Sequence, residues 1–412
     1  MRILYLTHYF PPEGNAPASR VYEMSKRWVR QGHEVTVITC APNAPAGVLY
    51  PGYRNRLVQR ERMDGIDVVR VWTYLASNRG VFLRVVNYVS YMAAAVLAGL
   101  FVARPDVVIA TSPQLFCGWA GAILASLRRL PFVLEIRDIW PDAIVVHGVL
   151  TSVNGLLERL ARRLYGAARH IVTVGDGYKN DLMGKGVRAR DISIVTNGAD
   201  LEVFFPREPE ADLKERYGLE AYFLCSYIGT IGMSHGLAVV LRAARILKGK
   251  GRTDIRFLFV GDGAEREALE QEARANGLES VIFLGRQDKN MVPRLLSVSD
   301  VCLVHVKRLA LYRSVLPSKI FEAWAMAKPV VLGVEGCAAE VVEAAGGGVC
   351  VEPENEQQLV AAVESLADDH GLSESLGQAG RDYVVRHFSR DALAKDYLDV
   401  LEQVRAGTIT RS

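Results

Sequence analysis

Short apolar, β-branched runs alternate with stretches of helical period along the whole chain, and near residue 197 the alternation halts and then starts again. A run lacking polar alternation is a strand buried on both faces, and parallel neighbours of that kind need a helical crossover between them. The order therefore fixes the class as α/β with parallel sheets. In the first half the runs are Ile3–Leu6, Val35–Thr39, Val68–Val71, Val107–Ala110, Phe132–Ile136, Ile171–Val174 and Ile192–Val195. In the second they are Phe223–Ile228, Arg256–Val260, Val281–Leu284, Val301–Val304, Pro329–Leu332 and Gly348–Val351. Helices fill the intervals; Ala18–Gln31, stopped by Gly32, is one.

The break itself reads NGADLEVFFPREPE, residues 197–210, with an Asn-Gly step, two prolines and no period. A chain of 412 residues exceeds what one core supports, so two domains are expected. The boundaries fall at 1–200 and 201–388. Residues 389–412 carry a helix candidate at Arg390–Arg405 that packs back on the first domain. The six cysteines are scattered, with no CxxC pair or Cys/His cluster, and read as core residues in a reducing compartment. No metal and no cofactor is expected. The start, MRILYLTHYF, lacks the apolar core of a signal peptide, so the expected location is the cytoplasm.

Charge is uneven. Residues 1–200 hold 24 Lys+Arg against 15 Asp+Glu, or +9, and the remainder holds 25 against 31, or −6. The basic half is either an ordinary solvated surface or a face that meets anionic lipid or a phosphorylated acceptor; nucleic acid is not an expected partner. Residues 85–103, VVNYVSYMAAAVLAGLFVA, contain no charge and are flanked by Arg79, Arg84 and Arg104. They suit a buried crossover helix, a helix seated in a membrane surface, or a membrane span.

Ligands of open α/β sheets bind beyond the carboxyl ends of strands, where glycines let backbone N–H groups approach phosphate. Two loops qualify: residues 7–20, with Gly14, and IGTIGMSHG at 228–236, with Gly229, Gly232 and Gly236. Neither has dinucleotide or P-loop spacing. More specific is LPSKIFEAWAMAKPVVLG, residues 316–333. Pro317 and Ser318 start a helix, Lys319 lies in its first turn and Glu322 follows. An ammonium there pairs with a diphosphate and a carboxylate accepts both hydroxyls of a ribose; alternatively Ser318 and Glu322 are helix-end chemistry and Lys319 a solvated charge.

That stretch resembles the donor-binding motif of family 4 GT-B glycosyltransferases. The resemblance spans almost the whole chain through YFPPEGNAPASR, QGHEVTVIT, RPDVVIATSP, LEIRDIWPD, IVTNGADLEVFFP, LFVGDGAERE and FLGR. It is strongest to the branch similar to the N-acetyl-L-fucosaminyltransferases of O-antigen and capsule assembly, through Asp138-Ile139-Trp140-Pro141 and Pro317-Ser318-Lys319. The resemblance implies the GT-B fold, two Rossmann-like domains facing each other across a cleft, and a retaining, metal-independent enzyme. Its donor would be a UDP-sugar and its acceptor a polyprenyl-diphosphate-linked saccharide at the inner face of the membrane, with the enzyme peripheral there. It places Glu322 on the donor ribose, Arg286 near the base, and Gly14 and Gly232 on the diphosphate. Asp138, or else Arg137, falls near the family's active-site histidine. Lys319 serves the leaving group.

Two departures stand out. The first glutamate of the family's Glu-x7-Glu motif is replaced by Ser314, and the basic pair after the first strand of the second domain is reduced to His235. Arg308 or Arg313 are candidates to help Lys319, and His147 to approach the reacting sugar. Two other readings stay open: a nucleotide-sugar epimerase, and a catalytically silent glycosyltransferase-like scaffold.

Overall fold

The computed structural model describes residues 1–44, 46–76, 82–112, 114–139 and 154–409. His147, with Arg79, Trp140 and Pro141, lies outside them. The chain divides into two compact units, Met1–Thr196 with Asp391–Ser412, and Asn197–Arg390.

The first unit is an eight-stranded sheet of β1 (Arg2–Leu6), β2 (Glu34–Cys40), β3 (Val58–Met63), β4 (Ile66–Val71), β5 (Val107–Thr111), β6 (Phe132–Ile136), β7 (His170–Thr173) and β8 (Ile192–Ile194). Its order is β3-β4-β2-β1-β5-β6-β7-β8. All pairings are parallel except β3 with β4. The sequence reading omits β3 because VQRERM alternates with charge and stays largely in water. Its strand character comes from the turn Asp64-Gly65, both residues left-handed, which folds it as an edge hairpin onto β4.

A buried polar network joins β1 and β6 to the segment after β8. Arg20 meets Glu135 at 2.9 Å, Tyr5 donates to Glu135 at 2.6 Å, and the other Arg20 nitrogens donate to the Val195 and Thr196 carbonyls at 2.7 Å. Burial would raise the Glu135 carboxyl, but the Arg20 and Arg137 cations hold it below its ordinary value. Removing one partner strands a buried charge. Glu135→Ala is expected to cost about 3–5 kcal/mol of the first unit's stability, read by denaturant unfolding.

The helix Arg390–Ala406 belongs to this unit: Tyr397, Leu401 and Val404 pack with Ile3, Tyr5 and Trp28. Trp28 Nε1 donates to the Ala394 carbonyl at 2.9 Å.

The second unit is a six-stranded parallel sheet of β9 (Phe223–Ile228), β10 (Ile255–Val260), β11 (Val281–Gly285), β12 (Val301–His305), β13 (Val330–Gly333) and β14 (Gly348–Cys350), in the order β11-β10-β9-β12-β13-β14. It begins at Asn197 rather than at 201. Residues 197–204 are no free linker: Ala199 and Phe204 are buried, and Ala199 exchanges backbone hydrogen bonds with Phe388 and Arg390 at 3.0 Å. The helical and strand periods vanish there because the backbone bridges to residues 388–390 instead.

In both sheets the chain winds outward from one strand in two directions, between β1 and β5 in the first and between β9 and β12 in the second. Loops at the carboxyl ends of those strands diverge and leave a crevice, which is where ligands of such sheets sit.

Candidate functional site

In the second unit the loop after β9 starts at Gly229, whose φ of +141° few residues other than glycine adopt. A Cβ there would lie 2.6 Å from Lys319 Cε and 2.7 Å from its Nζ. The missing side chain is what admits the lysine. Lys319 Nζ sits 3.7 Å from the centre of the Tyr227 ring and is buried with no hydrogen-bond partner. Burial pushes the ammonium from its ordinary value down to about 7, with Glu322 partly opposing. A buried donor with no hydrogen-bond partner is rare in native proteins and is able to take an acceptor.

Glu322 lies one turn further along the helix Lys319–Ala325 and lines the same cleft as Lys319, together with Ser226, Val292 and Leu296. Burial raises its carboxyl, and Arg390, Lys289 and Lys319 act against that. No donor reaches the Glu322 carboxylate among the described residues. Ser318 precedes the helix without capping it, so the helix-end reading of Ser318 and Glu322 does not hold.

The loop is held from behind. His305 Nδ1 donates to the His235 carbonyl at 2.6 Å, and its Nε2 accepts from the Glu354 N–H at 2.8 Å, which fixes the tautomer. A Cβ on Gly261 would strike the Gly229 carbonyl oxygen at 1.9 Å, and one on Gly263 that of Ile231 at 2.3 Å. The loop after β10 therefore lies directly on the loop after β9. Glycines in VGDGAE were the available signal, and their supporting role escaped the sequence reading, as did Tyr227 under the lysine.

Three expected cations change role. His235 packs edge-on against Tyr227, and burial followed by the Lys319 charge lowers it to about 4, so it is neutral near pH 7 and replaces no basic residue. Arg308 is paired with Glu335 at 2.9 Å, and Arg313 lies 3.9 Å from the same carboxylate. Neither is spare to help Lys319. Arg286 is exposed just past β11, after left-handed Gly285. The N–H of half-buried Gly232 has no partner among the described residues.

In the first unit the exposed Gly14 also keeps its N–H without a partner among the described residues. Its loop is fastened by Glu13, which accepts from the N–H groups of Phe10, Asn43 and Ala44 at 3.4, 3.0 and 2.9 Å. Asn15 caps the helix Ala16–Arg30 through Ala18 N–H, two residues earlier than the sequence suggests. Arg137 and Asp138 follow β6, beside the switch strand β5. Ser112 Oγ accepts from Arg137 N–H at 2.9 Å. Arg137 Nε and one Nη are buried without partners. Burial lifts the Asp138 carboxyl to about 6, with Arg137 opposing.

Two Rossmann-like units in one chain, each with a glycine loop at its switch point, define the GT-B class. Residues 15–198 match the family described as Glycosyl transferase 4-like domain, and residues 211–383 the one described as Glycosyl transferases group 1. Both units are thus glycosyltransferase domains, and the chain belongs to the GT-B glycosyltransferases that combine these two families. It is 27% identical over 413 residues, 97% of this chain and 99% of the relative, to WcaI of Escherichia coli (strain K12), a glycosyl transferase provisionally named for colanic acid biosynthesis. It is 23% identical to the capsular polysaccharide biosynthesis glycosyltransferase CapM of Staphylococcus aureus, over 69% of this chain and 73% of CapM. Among solved structures, sucrose-phosphate synthase of Thermosynechococcus elongatus superposes with a TM-score of 0.78 at 18% identity, covering 98% of this chain and 99% of that one. Anabaena HepE, solved with UDP-glucose, gives 0.73 at 18% identity, covering 98% and 100%. The fold and the family assignment agree with the resemblance at the level of the GT-B glycosyltransferases, and they favour sugar transfer over the epimerase reading.

Proposed function

We propose that this chain is a retaining, metal-independent glycosyltransferase acting on a UDP-sugar and a polyprenyl-diphosphate-linked saccharide, at the cytoplasmic side of surface polysaccharide assembly. The transferred sugar is an N-acetylated hexosamine or deoxyhexosamine. The observation that carries the donor half is Lys319, a buried ammonium without a hydrogen-bond partner in a cleft that also holds the Glu322 carboxylate, which no donor reaches among the described residues. In this reading Lys319 takes a diphosphate oxygen, Glu322 the ribose hydroxyls, Arg286 the base side, and Gly14 and Gly232 offer N–H groups. The bond from the anomeric carbon to the diphosphate breaks while the acceptor hydroxyl attacks from the same face. Its proton passes to the leaving phosphate, and the fixed cation offsets the charge that develops there. WcaI and CapM, both named for surface polysaccharides, support the class of product, and HepE with UDP-glucose supports the donor.

The first test is thermal stabilisation by a panel of nucleoside diphosphates. UDP is expected to raise the melting temperature, with or without EDTA, and Glu322→Ala to diminish the shift. If no nucleoside diphosphate shifts it, the donor assignment fails and the silent-scaffold reading takes its place.

A further inference from the structure

We infer that the helix Phe82–Leu100, with the end of the helix Leu115–Arg128 beside it, is a face by which this chain lies flat on an anionic lipid bilayer. The inference rests on the reading of a lipid-linked acceptor for its purpose, though docking itself involves none of the transfer chemistry.

One side of the helix Phe82–Leu100 is core. Tyr91 and Ala95 are fully buried, the Tyr91 hydroxyl is shared between the Thr7 and Ile38 carbonyls at 2.9 Å, and a Cβ on Gly99 would strike Leu124 at 2.3 Å. That packing ties the helix to the sheet and rules against a span. The opposite side is uncovered from end to end: Phe82 is 77% exposed, Leu97 61% and Phe101 81%, and Leu127, at 62%, continues the strip on the neighbouring helix. At 1.5 Å per residue the strip is about 28 Å long, and a contiguous apolar surface of that kind marks something that covers it.

Charge says what covers it. From residue 82 to residue 129 the chain has four arginines and one acid, Asp106. That carboxylate is already engaged, by the Arg2 N–H at 2.7 Å and by Arg405 at 3.9 Å. Arg104 and Arg129 stand exposed at the end of the strip, and no acidic side chain pairs with either among the described residues. Arg84, at its start, leans on Tyr88 and donates to its hydroxyl at 3.0 Å. A second copy of this chain would bring the same arginines and no free carboxylate to such a contact. An anionic bilayer supplies what both parts lack: lipid phosphates for the arginines and the acyl boundary for the strip.

Co-sedimentation of the full chain with phosphatidylcholine vesicles, with and without phosphatidylglycerol, tests this. Binding is expected with phosphatidylglycerol at low salt, and at least about tenfold weaker without it or at high salt. Leu97→Glu with Phe101→Glu, at sites already in water, abolishes binding; Arg104→Glu with Arg129→Glu removes its salt-sensitive part. Both variants keep the thermal shift given by UDP, which shows that they fold. A wild-type chain that ignores phosphatidylglycerol vesicles, or variants that bind like wild type, overturns the inference. Sedimentation velocity that shows self-association lost in the Leu97→Glu, Phe101→Glu variant, with no vesicle binding by wild type, gives the strip to a second copy instead. Vesicle binding without any nucleotide shift leaves the docking face standing and sinks the donor assignment.

Discussion

Replacing Lys319 with methionine is expected to weaken binding of a UDP-sugar on the order of a hundredfold and, in the same protein without ligand, to raise the melting temperature. The first effect is the loss of charge-assisted hydrogen bonds to a diphosphate, each worth about 1.5–3 kcal/mol. The second follows from the state of the free lysine. Its Nζ is buried with no partner, and burial has brought it down from 10.5 to about 7. Between those values the unfolded chain holds a proton that the folded chain releases, so stability rises with pH from about 7 upward and the full cost of the buried charge is felt below 7. Methionine has similar reach and no charge, and it relieves that cost; each kcal/mol regained is about 2–4 °C for a unit of about 200 residues. The lost contact with Tyr227 works the other way and is the smaller effect. Ligand binding has the matching sign. A bound diphosphate raises the lysine again, so affinity is level below about pH 7, falls above it, and binding takes up a proton measurable by calorimetry in buffers of different ionisation enthalpy. A methionine variant that binds within threefold of wild type, or that melts lower without ligand, removes Lys319 from the donor site.

What could be read in the sequence was whatever the chain states locally. Parallel strands buried on both faces are continuous apolar runs, so both sheets were legible nearly to the residue, and Phe132–Ile136 and Phe223–Ile228 needed no change. β3 was not, because an edge strand in water shows charge where an interior strand shows valine. Lys319 and Glu322 were legible because one short helix carries both. Their condition was not. That Nζ has no partner depends on Tyr227 and Gly229 from another strand and its loop, and that His235 is neutral depends on burial no motif encodes. Arg308 looked available until Glu335 was brought beside it. The apolar helix is the same case: composition left core and surface readings open, and the structure shows that it is both, with Tyr91 inside and Leu97 outside.

Asp138→Asn is expected to lower turnover by about 100- to 10,000-fold, the range for removing a positioned acid or base, while the UDP thermal shift is unchanged. The carboxyl is lifted to about 6 by burial, so in wild type it gains its charge as pH rises through 6. If the carboxylate orients the acceptor hydroxyl for loss of its proton to the leaving phosphate, transfer rises through that pH and levels off above it, and the asparagine variant loses the limb along with the rate. Arg137 supplies a control that a merely structural aspartate would not pass. Its cation opposes the effect of burial on Asp138, and its own Nε and one Nη have no other partner to hold them. Arg137→Gln therefore moves the acidic limb to higher pH, since burial then acts unopposed. Rates of transfer, or of donor hydrolysis where no acceptor is in hand, measured from pH 5 to 8 read both variants. A limb that stays in place in Arg137→Gln belongs to another group, and Asp138 is then a residue that shapes the loop after β6 without touching the reaction.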